Sequence, residues 1–331
     1  MYPSGIRGKE QEMNVIFCSP HRRLELGVAS KEAEDYLNQV RAYQEAAIGS
    51  AAAIPTLEEM RVGADSILET VGTMPEGVEI DEVDVDGLSA LWLRPKGAPR
   101  DATVLYFHGG GYVLQSANSH RKLTSHLAQQ SNCNVLSVNY RLAPENPHPA
   151  AVTDAVTSYK WLLKNGYAPS KIVVSGDSAG GGLSLALLLA AKREGISQPA
   201  GAVVFSPWVD LVGTGESMDS KADVDLMVNR HALGLMASMF LQGSSADDPF
   251  AAPLFGDFSG VAPMYIQVGG DETLLDDSTR IAAKAAHAGA SVLLEVFPEM
   301  QHVFQAAVGM IPEATDAVFK AGRWIQHTLG V

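Results

Sequence analysis

The chain has 331 residues, 46% hydrophobic and 19% charged, with 24 basic against 38 acidic side chains and a net charge of −14. This composition supports a sizeable core, and an acidic balance without a Lys/Arg cluster argues against nucleic acid or an anionic membrane surface as a partner. The two cysteines, Cys18 and Cys133, argue against a disulfide framework or a cysteine-built zinc site and point to reduced thiols in a cytoplasm.

At the start of the chain, Val15-Ile16-Phe17-Cys18 is too short an apolar run for a signal-peptide core. No run reaches the ~18 apolar residues of a membrane span. Residues 30–47 carry a helical pattern, with Ala33, Leu37, Val40, Tyr43 and Ala47 on one face, and Ser30 resembles an N-cap. Residues 56–71 form a second candidate helix. Residues 79–85 and 88–93 alternate in polarity around Asp86-Gly87, a hairpin signal.

From Thr103 the rhythm becomes strand, loop, helix. Strands are expected at residues 103–107, 134–140, 172–174, 202–205, 264–268 and 292–297, and helices at 150–163, 276–288 and 313–329. Such alternation predicts an α/β fold with a mostly parallel, doubly wound sheet. Residues 209–262 interrupt it with a Met- and Asp-rich stretch that has no clear strand. An insertion of this size between two strands usually covers something.

The chemistry-bearing residues all follow predicted strands, at the edge where open α/β sheets build their sites. Gly176-Asp177-Ser178-Ala179-Gly180 fits G-x-S-x-G, a strained strand-to-helix turn that lifts a serine hydroxyl clear of the sheet. The Ala179 N–H then lies free at a helix N-terminus, where it can face a developing oxyanion. Earlier in the chain, His108-Gly109-Gly110-Gly111 leaves room for backbone N–H groups to approach a reacting oxygen. No G-K-[ST] follows either glycine run, so a phosphate loop is poorly supported. Ser178, an acid near residue 272 and His302 appear in the order Ser, acid, His. A serine hydroxyl needs a base within reach, a histidine suits the task at neutral pH, and an acid orients it.

Four segments together resemble the bacterial hormone-sensitive-lipase family of carboxylesterases in its G-D-S-A-G branch. They are His108 to Gly111, Tyr140-Arg141-Leu142-Ala143-Pro144-Glu145, Gly176 to Gly180, and His302. The resemblance implies an α/β-hydrolase fold with a helical cap, made of residues 1–70 and 209–262 over a catalytic domain of 71–208 and 263–331. It implies Ser178 as nucleophile, His302 as base and an oxyanion hole of the Gly110, Gly111 and Ala179 N–H groups, with no metal or cofactor. The family's acid usually sits in D-P-L-x-D-[ED]. Here the text is Asp271-Glu272-Thr273-Leu274-Leu275-Asp276-Asp277. Matching the leucine favours Glu272 as the acid, with Asp271 the alternative one step away and Asp276 and Asp277 expected to cap the next helix.

Tyr112 and Trp208 follow site-forming loops and are either pocket-lining or core aromatics. Met218, Met227, Met236 and Met239 can form an adaptable surface over a substrate or pack the cap. His108 is expected to order the glycine loop. His120 and His126 are expected on a helix. His21, His231, His287 and His327 have no partner pattern. Tyr140-Arg141 and Glu145 read as a turn and ion-pair element. Ser119-His120-Arg121-Lys122 matches S-x-x-K, but without S-D-N or K-T-G a β-lactamase-type site is unsupported.

The resulting expectation is a cytoplasmic serine carboxylesterase acting on small uncharged esters, with a homodimer as one assembly open to it. A lactonase, amidase or acyltransferase using the same site, or a ligand receptor on the same fold, are the alternatives.

Overall fold

A computed structural model describes residues 29–48 and 55–331. The Val15–Cys18 run, His21 and residues 1–28 of the expected N-terminal unit lie outside the described residues, as do the side chains of Tyr43 and Ala47.

Two helices lead the described chain, α1 (Lys31–Ile48) and α2 (Leu57–Thr70). Thr56 caps α2 rather than belonging to it. Its hydroxyl accepts the Glu59 N–H while the Glu59 carboxylate accepts the Thr56 N–H, which satisfies two otherwise unpaired donors. Strands β1 (Val78–Val85) and β2 (Leu88–Pro95) then form the expected hairpin. Both central residues of its turn, Asp86 and Gly87, have positive φ, as a tight two-residue turn requires.

Beyond the hairpin run β3 (Thr103–Phe107), α3 (Arg121–Ser131), β4 (Asn134–Val138), α4 (Ala150–Lys164), β5 (Ile172–Asp177), α5 (Ala179–Glu194) and β6 (Gly201–Phe205). After the insertion come β7 (Met264–Gly269), α8 (Leu275–His287), β8 (Val292–Phe297) and α9 (Pro312–Leu329). The eight strands make one sheet in the order β1-β2-β4-β3-β5-β6-β7-β8, parallel from β4 to β8 and antiparallel at β1 and β2.

Every residue of β3 to β7 is buried, because helices cover both faces. Val104 and Tyr106 turn to the face packed by α3 and α9, while Leu105 and Phe107 turn to the face packed by α4 and α5. Helix α5 is buried continuously from Ala179 to Ala191, so the helix that begins at the glycine-serine turn lies in the core.

Strand β4 ends two residues earlier than the sequence predicts. The Asn139 side chain accepts the Ala117 N–H and donates to Ser89, and the Tyr140 hydroxyl donates to the His108 carbonyl, which draws both residues into loops. The chain crosses from β4 over β3 to β5. Phe107 pairs with Gly176, so the loops leaving β3 and β5 diverge side by side at a topological switch point.

Residues 209–262 contain no strand. They hold α6 (Ser217–Ser220), α7 (Arg230–Leu241, capped by Asn229) and a single turn at Pro253–Phe255. No helix among the described residues is long and apolar enough to cross a membrane.

Candidate active site

Ser178 ends β5 and starts α5 with φ 51 and ψ −121, a conformation that L-residues avoid. Its surroundings hold it there. The Ser178 N–H donates to Phe205 O at 2.9 Å, and its carbonyl accepts the N–H groups of Gly182 at 3.0 Å and Trp208 at 2.9 Å. The flanking glycines are required by close approach. A Cβ on Gly176 would fall 2.4 Å from Gly180 O, and one on Gly180 would fall 2.0 Å from Phe107 O.

The loop after β8 brings His302 to this serine. His302 Nε2 lies 2.9 Å from Ser178 Oγ, and Nδ1 lies 2.8 Å from Glu272 Oε2. A carboxylate can only accept, so Nδ1 carries the proton and Nε2 is free to accept from the serine hydroxyl. Glu272 is fully buried. Its other oxygen, Oε1, accepts Ser206 Oγ–H at 2.6 Å and the Gly269 N–H at 2.5 Å. Burial disfavours the charged form of His302, but the adjacent Glu272 outweighs it and holds the imidazolium above its ordinary pKa.

Asp271 is turned away. Its carboxylate meets Lys221 Nζ at 3.1 Å, and its N–H donates to Met300 O. The structure therefore brings Ser178, His302 and Glu272 together and leaves Asp271 outside the group.

Gly110 and Gly111 have φ of +95 and +62, and a Cβ on Gly110 would fall 2.2 Å from Leu114 O. The N–H groups of Gly110, Gly111 and Ala179 donate to no group among the described residues. His108 behaves as expected for a loop-ordering residue. Its Nδ1 donates to Gly109 O at 2.8 Å, and its ring stacks on Tyr140 with centroids 4.4 Å apart. Burial pushes its pKa down to about 3, so it stays neutral.

Several expectations need correction. Asp276 and Asp277 do not cap α8. Asp277 Oδ2 accepts the N–H groups of Val209 and Asp210, and Asp276 Oδ2 accepts that of Ser217, so both carboxylates hold the insertion's entry. His120 precedes α3 rather than lying on it, and it is buried against Asp177 with Nε2 3.2 Å from Oδ2. The ion-pair reading of Arg141 and Glu145 holds, through separate partners, Asp154 and Arg61 respectively.

Tyr112 and Trp208 are each only 1% exposed, which fits core aromatics backing the site rather than side chains facing open space. Tyr112 stacks on Phe240 of α7 with centroids 3.9 Å apart, and the Trp208 indole N–H donates to Asp210 O. Met236 of α7 lies against Gly111, its Sδ 2.1 Å from where a Gly111 Cβ would stand.

Sequence reasoning missed the supporting residues. Ser206 has φ 46, and besides donating to Glu272 its hydroxyl accepts the Val303 N–H at 3.3 Å. Gln301 accepts the Leu226 N–H and donates to Val224 O, while Asp225 accepts from Thr273 N–H at 2.7 Å, so the insertion is tied to both the His302 and Glu272 loops. The one signal for Ser206 was its position at a strand's C-terminal end, in Ser206-Pro207-Trp208.

Comparison with known proteins shows the family and the fold. Residues 104–306 match the family described as alpha/beta hydrolase fold. The chain is similar to an acetyl-hydrolase of Streptomyces hygroscopicus, 39% identical over 277 residues that cover 83% of this chain and 91% of that protein. It is also similar to an esterase of Acinetobacter venetianus, 38% identical over 67% of this chain and 74% of that one. Among solved structures, an esterase from the bacterial hormone-sensitive lipase family superposes with a TM-score of 0.86 at 38% identity, covering 92% of this chain and all of that one. EstE5 soaked with p-nitrophenyl butyrate superposes at 0.85 and 37% identity, again over 92% of this chain and all of that one.

Proposed function

This chain belongs to the α/β-hydrolase family and is an esterase of its hormone-sensitive-lipase kind, and we propose that it hydrolyses short acyl esters through Ser178, His302 and Glu272. The observation that carries this reading is the unbroken relay from Ser178 Oγ to His302 Nε2 at 2.9 Å and from Nδ1 to Glu272 Oε2 at 2.8 Å.

Ser178 Oγ attacks the ester carbonyl carbon while His302 Nε2 takes the hydroxyl proton. The carbonyl oxygen becomes an oxyanion facing the N–H groups of Gly110, Gly111 and Ala179. As the tetrahedral centre collapses, the C–O bond to the alcohol breaks and His302 protonates the departing oxygen. Water then attacks the acyl-enzyme, with His302 again taking a proton, and the carboxylic acid leaves as Ser178 recovers its own. Glu272 stays ionised throughout, fixing the tautomer and balancing the imidazolium. Every step is supplied by side chains and backbone of this chain.

The described part of residues 1–70, helices α1 and α2, and residues 209–262 serve as the cap over a catalytic unit of 71–208 and 263–331. Support comes from the ties of Asp225 and Gln301 around the acid and base loops, and from Met236 against Gly111. From the N-terminal side, Arg61 of α2 donates to Val113 O and Ala143 O, both at 2.9 Å, and pairs with Glu145. A cap pressed this closely onto the glycine loop favours short acyl chains.

The test is Ser178→Ala, assayed with p-nitrophenyl acetate, butyrate and laurate beside a lactone and an amide. The variant should fold and be inactive, and an organophosphate should label Ser178 in the unsubstituted enzyme. The acetate or butyrate should be the best substrate, and EDTA should change nothing. Retained activity in Ser178→Ala would overturn the mechanism. Preference for laurate would overturn the size assignment alone, and faster lactone or amide turnover would redirect the substrate class.

A further inference from the structure

Asp177, the residue before Ser178, carries a buried carboxylate that touches three elements at once. Oδ1 accepts the Tyr106 hydroxyl at 2.6 Å and the Gly109 N–H at 3.2 Å, and Oδ2 faces His120 Nε2 at 3.2 Å. The other ring nitrogen of His120, Nδ1, lies 3.1 Å from the Ser116 carbonyl oxygen. A carbonyl can only accept, so Nδ1 donates. Nε2 lies 3.2 Å from Asp177 Oδ2 and also 3.4 Å from the Gly109 N, so it sits beside both the carboxylate and the peptide that the carboxylate holds. Burial opposes the charge on His120, but the adjacent Asp177 outweighs it and raises the His120 pKa above its ordinary value, which favours an imidazolium donating to Asp177 from Nε2 and makes the contact a buried ion pair.

The groups around the pair are consistent with that state. Tyr106 donates to Asp177 from β3, Asp65 of α2 adds negative charge near His120, and His108, in ring contact with His120, is held neutral by burial.

The fit leaves no slack. A Cβ on Gly109 would fall 2.3 Å from Asp177 Oδ2, so only glycine lets this peptide lie on the carboxylate. The Gly109 N–H is thereby held to the residue adjoining the nucleophile, and the next two N–H groups are those of Gly110 and Gly111.

We propose that the Asp177–His120 ion pair is the positioning element of the oxyanion loop, holding Gly109 on the carboxylate beside Ser178 and so setting the Gly110 and Gly111 N–H groups against the nucleophile. Neither residue touches substrate; both act through the Gly109 peptide. The role rests on the mechanism proposed above. Its energetic basis is that a charged acceptor in a low-dielectric interior holds an N–H more firmly than a neutral one.

The test separates positioning from folding. His120→Ala and Asp177→Ala should lower kcat by about 10- to 10³-fold, up to the loss of one oxyanion donor, with KM changed by no more than about threefold. A short-chain trifluoromethyl ketone, which adds to Ser178 and puts its oxyanion where the ester's would form, should weaken by a similar factor. In Asp177→Asn the amide oxygen can still accept from Gly109 and Tyr106, and the amide N–H can donate to a neutral His120. That variant should recover about tenfold over Asp177→Ala. The double alanine variant should be no worse than Asp177→Ala alone.

If Asp177→Ala does not fold, His120→Ala and Asp177→Asn carry the comparison against the unsubstituted enzyme. A His120→Ala enzyme with kcat within about threefold of the parent overturns the proposal, as does a fall in kcat with unchanged ketone affinity. Ser178→Ala, run alongside, tests the underlying mechanism separately: an active Ser178→Ala enzyme sinks that mechanism, whereas an inactive one beside an unimpaired His120→Ala sinks only the positioning role.

Discussion

Glu272 Oε2 lies 2.8 Å from His302 Nδ1, while the adjacent Asp271 points the other way to Lys221. Glu272→Gln removes the charge that balances the imidazolium and lets the amide select the wrong tautomer. In serine proteases the corresponding change lowers kcat by about 10⁴, and a fall of roughly 10²–10⁴ is expected here. Asp271→Asn loses one partly exposed ion pair away from the reacting atoms and should stay within about threefold of the parent. Steady-state kinetics on both variants, with circular dichroism to confirm folding, decides between the two acids. A crippled Asp271→Asn beside a healthy Glu272→Gln would reverse the assignment.

His302 sets the acid limb of the pH profile. Burial opposes its charge, but Glu272 prevails and raises its pKa. The base must be neutral to take the Ser178 proton, so kcat/KM should climb with pH through a limb above the ordinary imidazole value of about 6.5. In whatever activity Glu272→Gln retains, that limb should move to lower pH. The stability linkage has the matching sign. A raised folded-state pKa contributes stability that is fully present below the unfolded-state pKa and lost as pH rises through the folded one. Profiles of kcat/KM over roughly pH 5 to 9 read the effect, and a limb below the ordinary value would contradict it.

Ser206 should behave as part of the acid's support. Ser206→Ala takes from Glu272 its 2.6 Å hydroxyl donor, and from Val303 N–H its acceptor. A hydrogen bond to a buried charge is worth roughly 1.5–3 kcal/mol, so kcat should fall about tenfold or more with KM little changed. An unaltered kcat would show that the Gly269 N–H alone is enough to hold the carboxylate.

Asp277 makes a prediction about stability rather than rate. Burial is the main cause that pushes its carboxyl up to about 7, despite two backbone donors on Oδ2. The folded state therefore retains a proton that the unfolded chain releases near pH 4, and stability drains as pH rises through that window toward 7. An asparagine keeps an oxygen for the Val209 and Asp210 N–H groups without the charge. Asp277→Asn should raise the Tm more at pH 8 than at pH 5, and an equal shift at both would remove burial of the charge as the cause.

Met236 bears on chain length. Its Sδ fills the space over Gly111, so Met236→Ala should open room near the reacting carbonyl. The ratio of kcat/KM for a hexanoate over an acetate ester should rise by about tenfold, within the 1–3 kcal/mol that a methylene-scale change in a pocket supplies. Parallel changes for both esters would mean that Met236 packs the cap without shaping the pocket.

The elements legible in the sequence were those with local causes. Period-two and β-branched runs marked the strands, Asp86-Gly87 marked the hairpin, and the glycines around Ser178 and after His108 marked turns that only small residues can make. Because all these turns follow strands, their gathering at one sheet edge could be expected before any coordinates. Tertiary structure alone decided the rest, since it depends on which distant backbone a side chain meets. Whether Glu272 or Asp271 reaches His302 is a difference of one residue along the chain, resolved by where β7, β8 and Lys221 stand in space. Asp276 and Asp277 look like helix caps until the insertion's N–H groups arrive, and His120 looks like an ordinary helix residue until β5 brings Asp177 against it. A buried carboxylate takes the donors that the fold delivers, and no local pattern records where those donors come from.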